Sequence, residues 1–196
     1  MRVPSVRLIP AAALAAIALL GASTARAQVK EDVPQKFTAF AVDTSNLRTR
    51  AAASTVEIVI ERWSTEAQRD KLLDVLQKQG QDALLDALED MPVVGYIRTP
   101  GSLRYNLRFA RQREAEDGGR MIVLATDRTM SYWERTSGSR TTNYPFTVIQ
   151  LQLDKNDEGV GKVSVATKIH VGVDNVIELE NFANQPVRLN EVKPER

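Results

Sequence analysis

The 196-residue chain has no cysteine and a single histidine, His170. That excludes disulfides, thiol nucleophiles, iron–sulfur clusters and cysteine-based zinc sites, and it excludes a zinc site built from two or three histidines of one chain. Lys and Arg number 26 against 25 Asp and Glu, a near balance that gives no general affinity for nucleic acid.

The first 27 residues read as a cleavable export signal. Arg2 and Arg7 supply the basic start, LIPAAALAAIALLGA (8–22) the apolar core, and Ala25-Arg26-Ala27 the small-x-small cleavage site. Fifteen apolar residues are too few to span a bilayer, which needs about 20, and no later run is longer, so no membrane span is expected in the mature chain. There is no cysteine to lipidate and no twin arginine, so the signal is of the Sec type and the destination is the periplasm or the exterior. Cleavage after Ala27 leaves 169 residues, enough for one domain with a sizeable core. It also removes Arg2, Arg7 and Arg26, leaving 23 basic against 25 acidic residues and a net charge of −2.

Residues 28–53 hold few hydrophobics and read as a poorly ordered lead-in, with FTAFAV (37–42) as a short strand. The folded domain is expected over 54–196. STVEIVIERW (54–63) alternates, with Val56, Ile58 and Ile60 on one face and Thr55, Glu57 and Glu61 on the other, the pattern of a half-buried strand. The period then changes. Leu72, Leu73 and Leu76, then Leu84, Leu85, Leu88 and Met91, recur at helical spacing. Thr65 and Gln68 fit a capping box, Gly80 divides or kinks the helical segment, and Pro92 stops it. From 93 onward strands follow one another with short turns: 93–99, 103–114, 120–127, 144–154, 160–171, 174–182 and 186–192. These elements predict an α+β domain, a curved antiparallel meander of about seven or eight strands with one helical segment packed on one face. The other face is expected to be polar and to hold the function.

Two regions stand out. GYIRTPGSLRYNLRFARQR (95–113) carries five arginines and no lysine. Alternation places Leu103, Tyr105, Leu107 and Phe109 on one face and Arg104, Asn106 and Arg108 on the other, with Arg111 and Arg113 continuing the apolar register. The wider segment 93–140 has nine Arg, no Lys and five acids, so it is +4 within a mature chain of −2. Arginine suits planar capture of carboxylate or phosphate, and it equally suits cross-strand pairing with glutamates such as Glu57 and Glu61. The second region, MSYWERTSGSRTTNYPF (130–146), lacks a period and combines Trp133 with Arg135 and Arg140, a composition that suits a ligand-binding loop or an ordinary crossover. Arg104, Arg108, Trp133, Arg135 and Arg140 are therefore the candidate ligand-binding residues.

Weaker signals carry less. DKNDEG (154–159) resembles the start of a calcium loop, but its twelfth position is Val165 and its flanks are strands, so a hairpin turn explains it. His170 shares a polar register with Lys162, Ser164 and Lys168 and faces Asp174, Glu178 and Glu180, which reads as cross-strand pairing. No G-x-S-x-G, Walker or G-x-G-x-x-G motif occurs. No catalytic residue, metal or cofactor is assigned.

The blocks VGYIRTPGSLRY, IVLATDR, YPFTVIQLQLD, ATKI and IELENFANQPVRL resemble a family of uncharacterised exported bacterial proteins of unknown function, over most of the mature chain. The resemblance implies bacterial export and a single domain, and brings no activity or site residues. The reading the residues favour is a non-enzymatic exported domain that binds a small anionic or amphipathic ligand, or another envelope protein, beside the arginine-rich hairpin. The alternatives are a carboxylate-based hydrolase acting on envelope material and an interaction module that uses a sheet edge.

Overall fold

The computed structural model describes residues 33–43, 52–115, 117–128, 146–171, 177–181 and 187–195. The predicted signal peptide lies outside them. The protein is α+β, with a curved antiparallel sheet and two helices. Its elements are β1 (Gln35–Asp43), β2 (Ala52–Ile60), α1 (Glu66–Gln79), α2 (Gln81–Glu89), β3 (Gly95–Arg98), β4 (Tyr105–Leu107), β5 (Phe109–Glu114), β6 (Arg120–Ala125), β7 (Phe146–Leu153), β8 (Gly159–Val171), β9 (Ile177–Asn181) and β10 (Val187–Pro194). Ten described strands replace the expected seven or eight. One reason is that the expected strand 103–114 is two, β4 and β5, which pair with different partners. The other is β1, which lies between β2 and β10 in mid-sheet, so the folded part already includes residues 35–43.

The strand order is β4-β3-β2-β1-β10-β8-β7-β6-β5, and β9 pairs with the far end of β8. β4 and β5 stand at opposite ends of that order, yet only Arg108 separates them in the chain. The sheet therefore curls nearly into a barrel. The seam is held by backbone bonds on both sides: Val94 N–H donates to Leu107 C=O at 2.8 Å, and Arg108 N–H donates to Ala125 C=O at 2.8 Å. Ser64 ties the start of β5, since Ala110 N–H donates to its Oγ at 3.1 Å.

Alternation explains the interior. Phe37, Ala39 and Ala41 of β1 and Val56, Ile58 and Ile60 of β2 point inward, joined by Ile97, Leu107, Ala110, Ile122, Leu124, Ile149, Leu151, Val163 and Leu189. Fully burying each of the Val, Leu, Ile and Phe side chains among them contributes about 1.5–3 kcal/mol. Gly161 makes room on this inner side, where a Cβ would meet Gln150 O at 2.7 Å and Leu151 Cδ2 at 2.8 Å. Arg120 enters the same interior from the first position of β6. It is 6% exposed, donates to Asp157 Oδ1 at 2.7 Å and Gln112 Oε1 at 2.6 Å, and lies 5.8 Å from the Phe37 ring.

The helices do not cover that interior. They pack on the outer face, where Leu72, Leu76, Leu84, Leu88 and Met91 meet Ala125, Phe146 and Val148. The expected polar second face is thus apolar along β6 and β7. Phe146 to Ile149 of β7 are buried on both sides and Met121 and Val123 of β6 are partly covered, which the runs MIVLA and FTVI encode. Helix α1 starts at Thr65, whose Oγ1 accepts from Gln68 N–H at 3.2 Å while Gln68 Oε1 accepts from Thr65 N–H at 2.9 Å, the expected capping box. It ends at Gly80, whose φ of 84° begins the break before α2. Among the described residues, no helix is long and apolar enough to cross a membrane.

Arg108 locks the seam through its side chain as well. Its Nε donates to Asp127 Oδ2 at 2.7 Å and its guanidinium to Met91 C=O at 2.8 Å, so one residue joins the end of β6 to the end of the helical segment. Replacing Arg108 by Ala leaves the largely buried Asp127 carboxylate without its cation. Arg108→Ala is expected to lower stability by about 2–4 kcal/mol, read as a lower urea midpoint at unchanged slope.

Candidate functional site: a helix–sheet cleft with an arginine rim

The helix pair comes closest to the sheet backbone along β8. Between the helices and the outer face of β5–β8 lies a cleft of about 750 Å³, within the range of about 300–1,000 Å³ common for small-molecule sites. Leu72, Leu73 and Leu76 of α1 and Leu84 and Leu88 of α2 form one wall. Phe109, Met121, Val123, Ala125, Val148 and Ile169 form the other. Helical spacing puts Glu66 and Arg69 on the same side of α1 as Leu73 and Leu76, and strand spacing puts Arg111 and Arg113 in line with Phe109. The cleft is therefore apolar inside and charged at its mouth.

Three arginines and one carboxylate make up that charge. Arg111 donates from one terminal nitrogen to Ser64 C=O at 3.0 Å and from the other to the Glu66 carboxylate. Arg113 donates to Met121 Sδ at 3.4 Å, a weak acceptor. Arg69 pairs with its neighbour Asp70 at 2.9 Å.

Two of the five residues predicted from sequence, Arg104 and Arg108, lie elsewhere. Arg104 lies flat against Tyr96, 4.1 Å from the ring centre, on the outer face of β3. Arg108 is engaged at the seam. Neither lines the cleft. Trp133, Arg135 and Arg140 lie outside the described residues. The expected face of Leu103, Tyr105, Leu107 and Phe109 is also broken. Leu103 precedes β4 and is 87% exposed, while Leu107 belongs to the interior and Phe109 faces the helices because the seam at Arg108 turns the chain over. The residues that sequence reasoning left out, Glu66 and Arg69, sit on a helix read for its leucines. The available signal was the pair Arg111 and Arg113, two cations continuing an apolar register.

The other sequence signals fall in a hairpin turn and a strand ladder. In the 154–159 turn, Asp154 Oδ1 accepts from Asn156 N–H at 2.7 Å and Glu158 N–H at 3.0 Å, and Asp157 serves Arg120. Those backbone donors hold the Asp154 carboxyl below its usual range. The turn closes a hairpin, as its Asn, Asp and Gly content predicts. In the β8–β9 ladder His170 stands opposite Glu178 and Lys168 opposite Glu180, the expected neighbours. A bulge in β8 between Ser164 and Thr167 breaks the expected single face, so Lys162 and Ser164 lie on the opposite side from Lys168.

Glu57 is the cross-strand partner anticipated for the arginines. Its carboxylate accepts from Arg98 at 2.8 Å and from the Tyr96 hydroxyl at 2.9 Å. The Arg98 bond, with Tyr96 adding to it, holds the Glu57 carboxyl below its usual range. Burial and the bond to Glu57 push the Tyr96 hydroxyl up.

Comparison with known proteins finds no matching family model, no similar curated protein and no similar solved structure.

The lowered Glu57 pKa sets a sign. A carboxylate held below its unfolded value, about 4.3, contributes stability that is present above that pH and is lost as pH falls through the folded value. Glu57→Gln is expected to lower the urea midpoint slightly at pH 7. At pH 3 the difference from the parent should shrink, and an undiminished difference there would show that the charge is irrelevant.

Proposed function

We propose that the protein is an exported binding domain whose helix–sheet cleft takes a small amphipathic ligand, with the ligand's apolar body against the leucines and its anionic end at the arginine rim. One observation carries this reading: the cleft is lined by aliphatic and aromatic side chains and opens beside Arg69, Arg111 and Arg113. An apolar cavity with few polar groups at one end fixes the orientation of an amphiphile, because each end of the ligand has one suitable surface. Arginine favours the anionic end, since its planar fork matches carboxylate, sulfonate or phosphate oxygens. Export rests on the sequence of residues 1–27.

A two-carboxylate hydrolase has less support. Among the described residues the lining carries one carboxylate, Glu66, and it is bound to Arg111. The sheet-edge reading is weakened by the curl that brings β4 and β5 together.

Anilinonaphthalene sulfonate, an apolar bicycle bearing one anion, is a direct probe. Its fluorescence should rise and shift to the blue on binding the folded protein in the absence of denaturant. Val123→Trp fills the cleft from β6 and should weaken the probe's Kd about ten-fold or more, equivalent to about 1.4 kcal/mol, with thermal unfolding still cooperative. Unchanged affinity in Val123→Trp would place the probe elsewhere and overturn the cleft.

A further inference from the structure

We infer that the ligand is a single-chain carboxylate, of the fatty-acid type, and that its head group takes the place of Glu66 on Arg111. This rests on the cleft reading above and narrows it to a ligand class and an exchange.

The structure already seats a carboxylate at the mouth of the cleft. Arg111 keeps one nitrogen on the Ser64 carbonyl and offers the other to Glu66. The backbone contact fixes the guanidinium while the second nitrogen is free to change partner. A single planar carboxylate satisfies what Glu66 satisfies, and it brings a chain that continues toward Phe109, Val123 and Leu76. Exchange leaves one carboxylate on Arg111, and the displaced Glu66 stays on the first turn of α1 and turns into solvent, so no carboxylate is left buried without a partner. A displaced Glu66 returns to water at little cost, because it is exposed already.

Exposure singles out this pair. The structure contains four ion pairs between arginines of the 93–140 segment and described carboxylates: Glu57, Glu66, Asp127 and Asp157. Glu57, Asp127 and Asp157 are 24%, 13% and 19% exposed at the side chain, whereas Glu66 is 67% exposed. Removing any of the first three from its arginine strands a desolvated group. Removing Glu66 does not. Glu66 therefore acts as a resident competitor that an entering carboxylate must displace, and Arg111 is the residue that selects for it.

Calorimetric titration of the full protein with laurate, dodecanol and dodecyl phosphate, each below its aggregation concentration, tests the assignment. Laurate should bind at least about ten-fold more tightly than dodecanol and more tightly than dodecyl phosphate. Glu66→Gln should tighten laurate about three- to ten-fold and leave dodecanol unchanged. Arg111→Met should bring laurate down to the dodecanol level. A misfolded variant cannot tighten binding, so Glu66→Gln decides the matter even where Arg111→Met is unstable. The exchange is overturned where Glu66→Gln leaves laurate unchanged or weaker, or where Arg111→Met keeps the preference over dodecanol. Dodecyl phosphate binding without laurate overturns the carboxylate in favour of a phosphate head. Absence of laurate binding alongside cleft binding of anilinonaphthalene sulfonate ends this inference and leaves the cleft standing. Absence of both ends both.

Discussion

One residue separates the two ends of the sheet. β4 and β5 terminate the strand order on opposite sides, and Arg108 is the whole connection between them. Leu107 and Phe109 are two residues apart, so their Cα atoms are held within about 7 Å. A flat sheet of nine strands in sequence would hold its edges about 38 Å apart at the usual strand spacing of about 4.8 Å. The covalent chain forbids that, and the sheet must curl until its edges meet. The right-handed twist of strands gives the sheet a bend to build on, and the bulges in β8 and β10 sharpen it.

The curl decides where a ligand can go. Once the edges meet, the inward side chains of β1–β8 and β10 face one another and fill the interior. Arg120 occupies one end of it and is held by Asp157 and Gln112. The strands that follow the seam then have an outer face too, and on β6 and β7 that face is apolar. Two helices with leucines at helical spacing cover it. They do so with a lean toward β8, and the space beside β5 and β6 is what remains. The cleft is thus a consequence of the seam: turning over at Arg108 sends Phe109 outward and carries Arg111 and Arg113 with it to the helix side.

Much of this was legible in the residues. The period change at 64, the capping box at Thr65, the break at Gly80 and the strand-after-strand character beyond 93 each reflect a local rule that the tertiary structure obeys. What failed was continuity across a single residue. Alternation assumes that a strand keeps its faces, and LRYNLRFARQR gives no local sign that its first half pairs with β3 and its second half with β6. Pairing partners far apart in sequence set that switch. The bulge in β8 misled in the same manner, splitting Lys162 and Ser164 from Lys168. β1 was read too weakly because Ala39 and Ala41 carry little apolar signal, although both are buried in the interior. For the site, the leucines of α1 and α2 were rightly read as core, and that reading concealed the gap beside them.

The charge asymmetry along the chain now has a structural meaning. The arginine-rich segment is +4 and the rest of residues 28–196 is acidic. Among the described residues, three of the four carboxylates that meet its arginines, Glu57, Glu66 and Asp157, come from outside it. The asymmetry is therefore largely internal: one stretch supplies cations and the remainder supplies anions for them, across the β2–β3 pair, the barrel end and the cleft mouth. Arginine serves here because its fork can hold two partners at once, as Arg108 holds Asp127 and Met91, Arg120 holds Asp157 and Gln112, and Arg111 holds Ser64 and Glu66. Lysine, a point charge on a flexible stem, would fix none of these corners. In the first two cases both partners belong to the largely buried framework. In the third, one partner is backbone and the other is an exposed side chain on the first turn of a helix. The same device that closes the fold in two places leaves, in the third, an arginine already oriented and only loosely occupied.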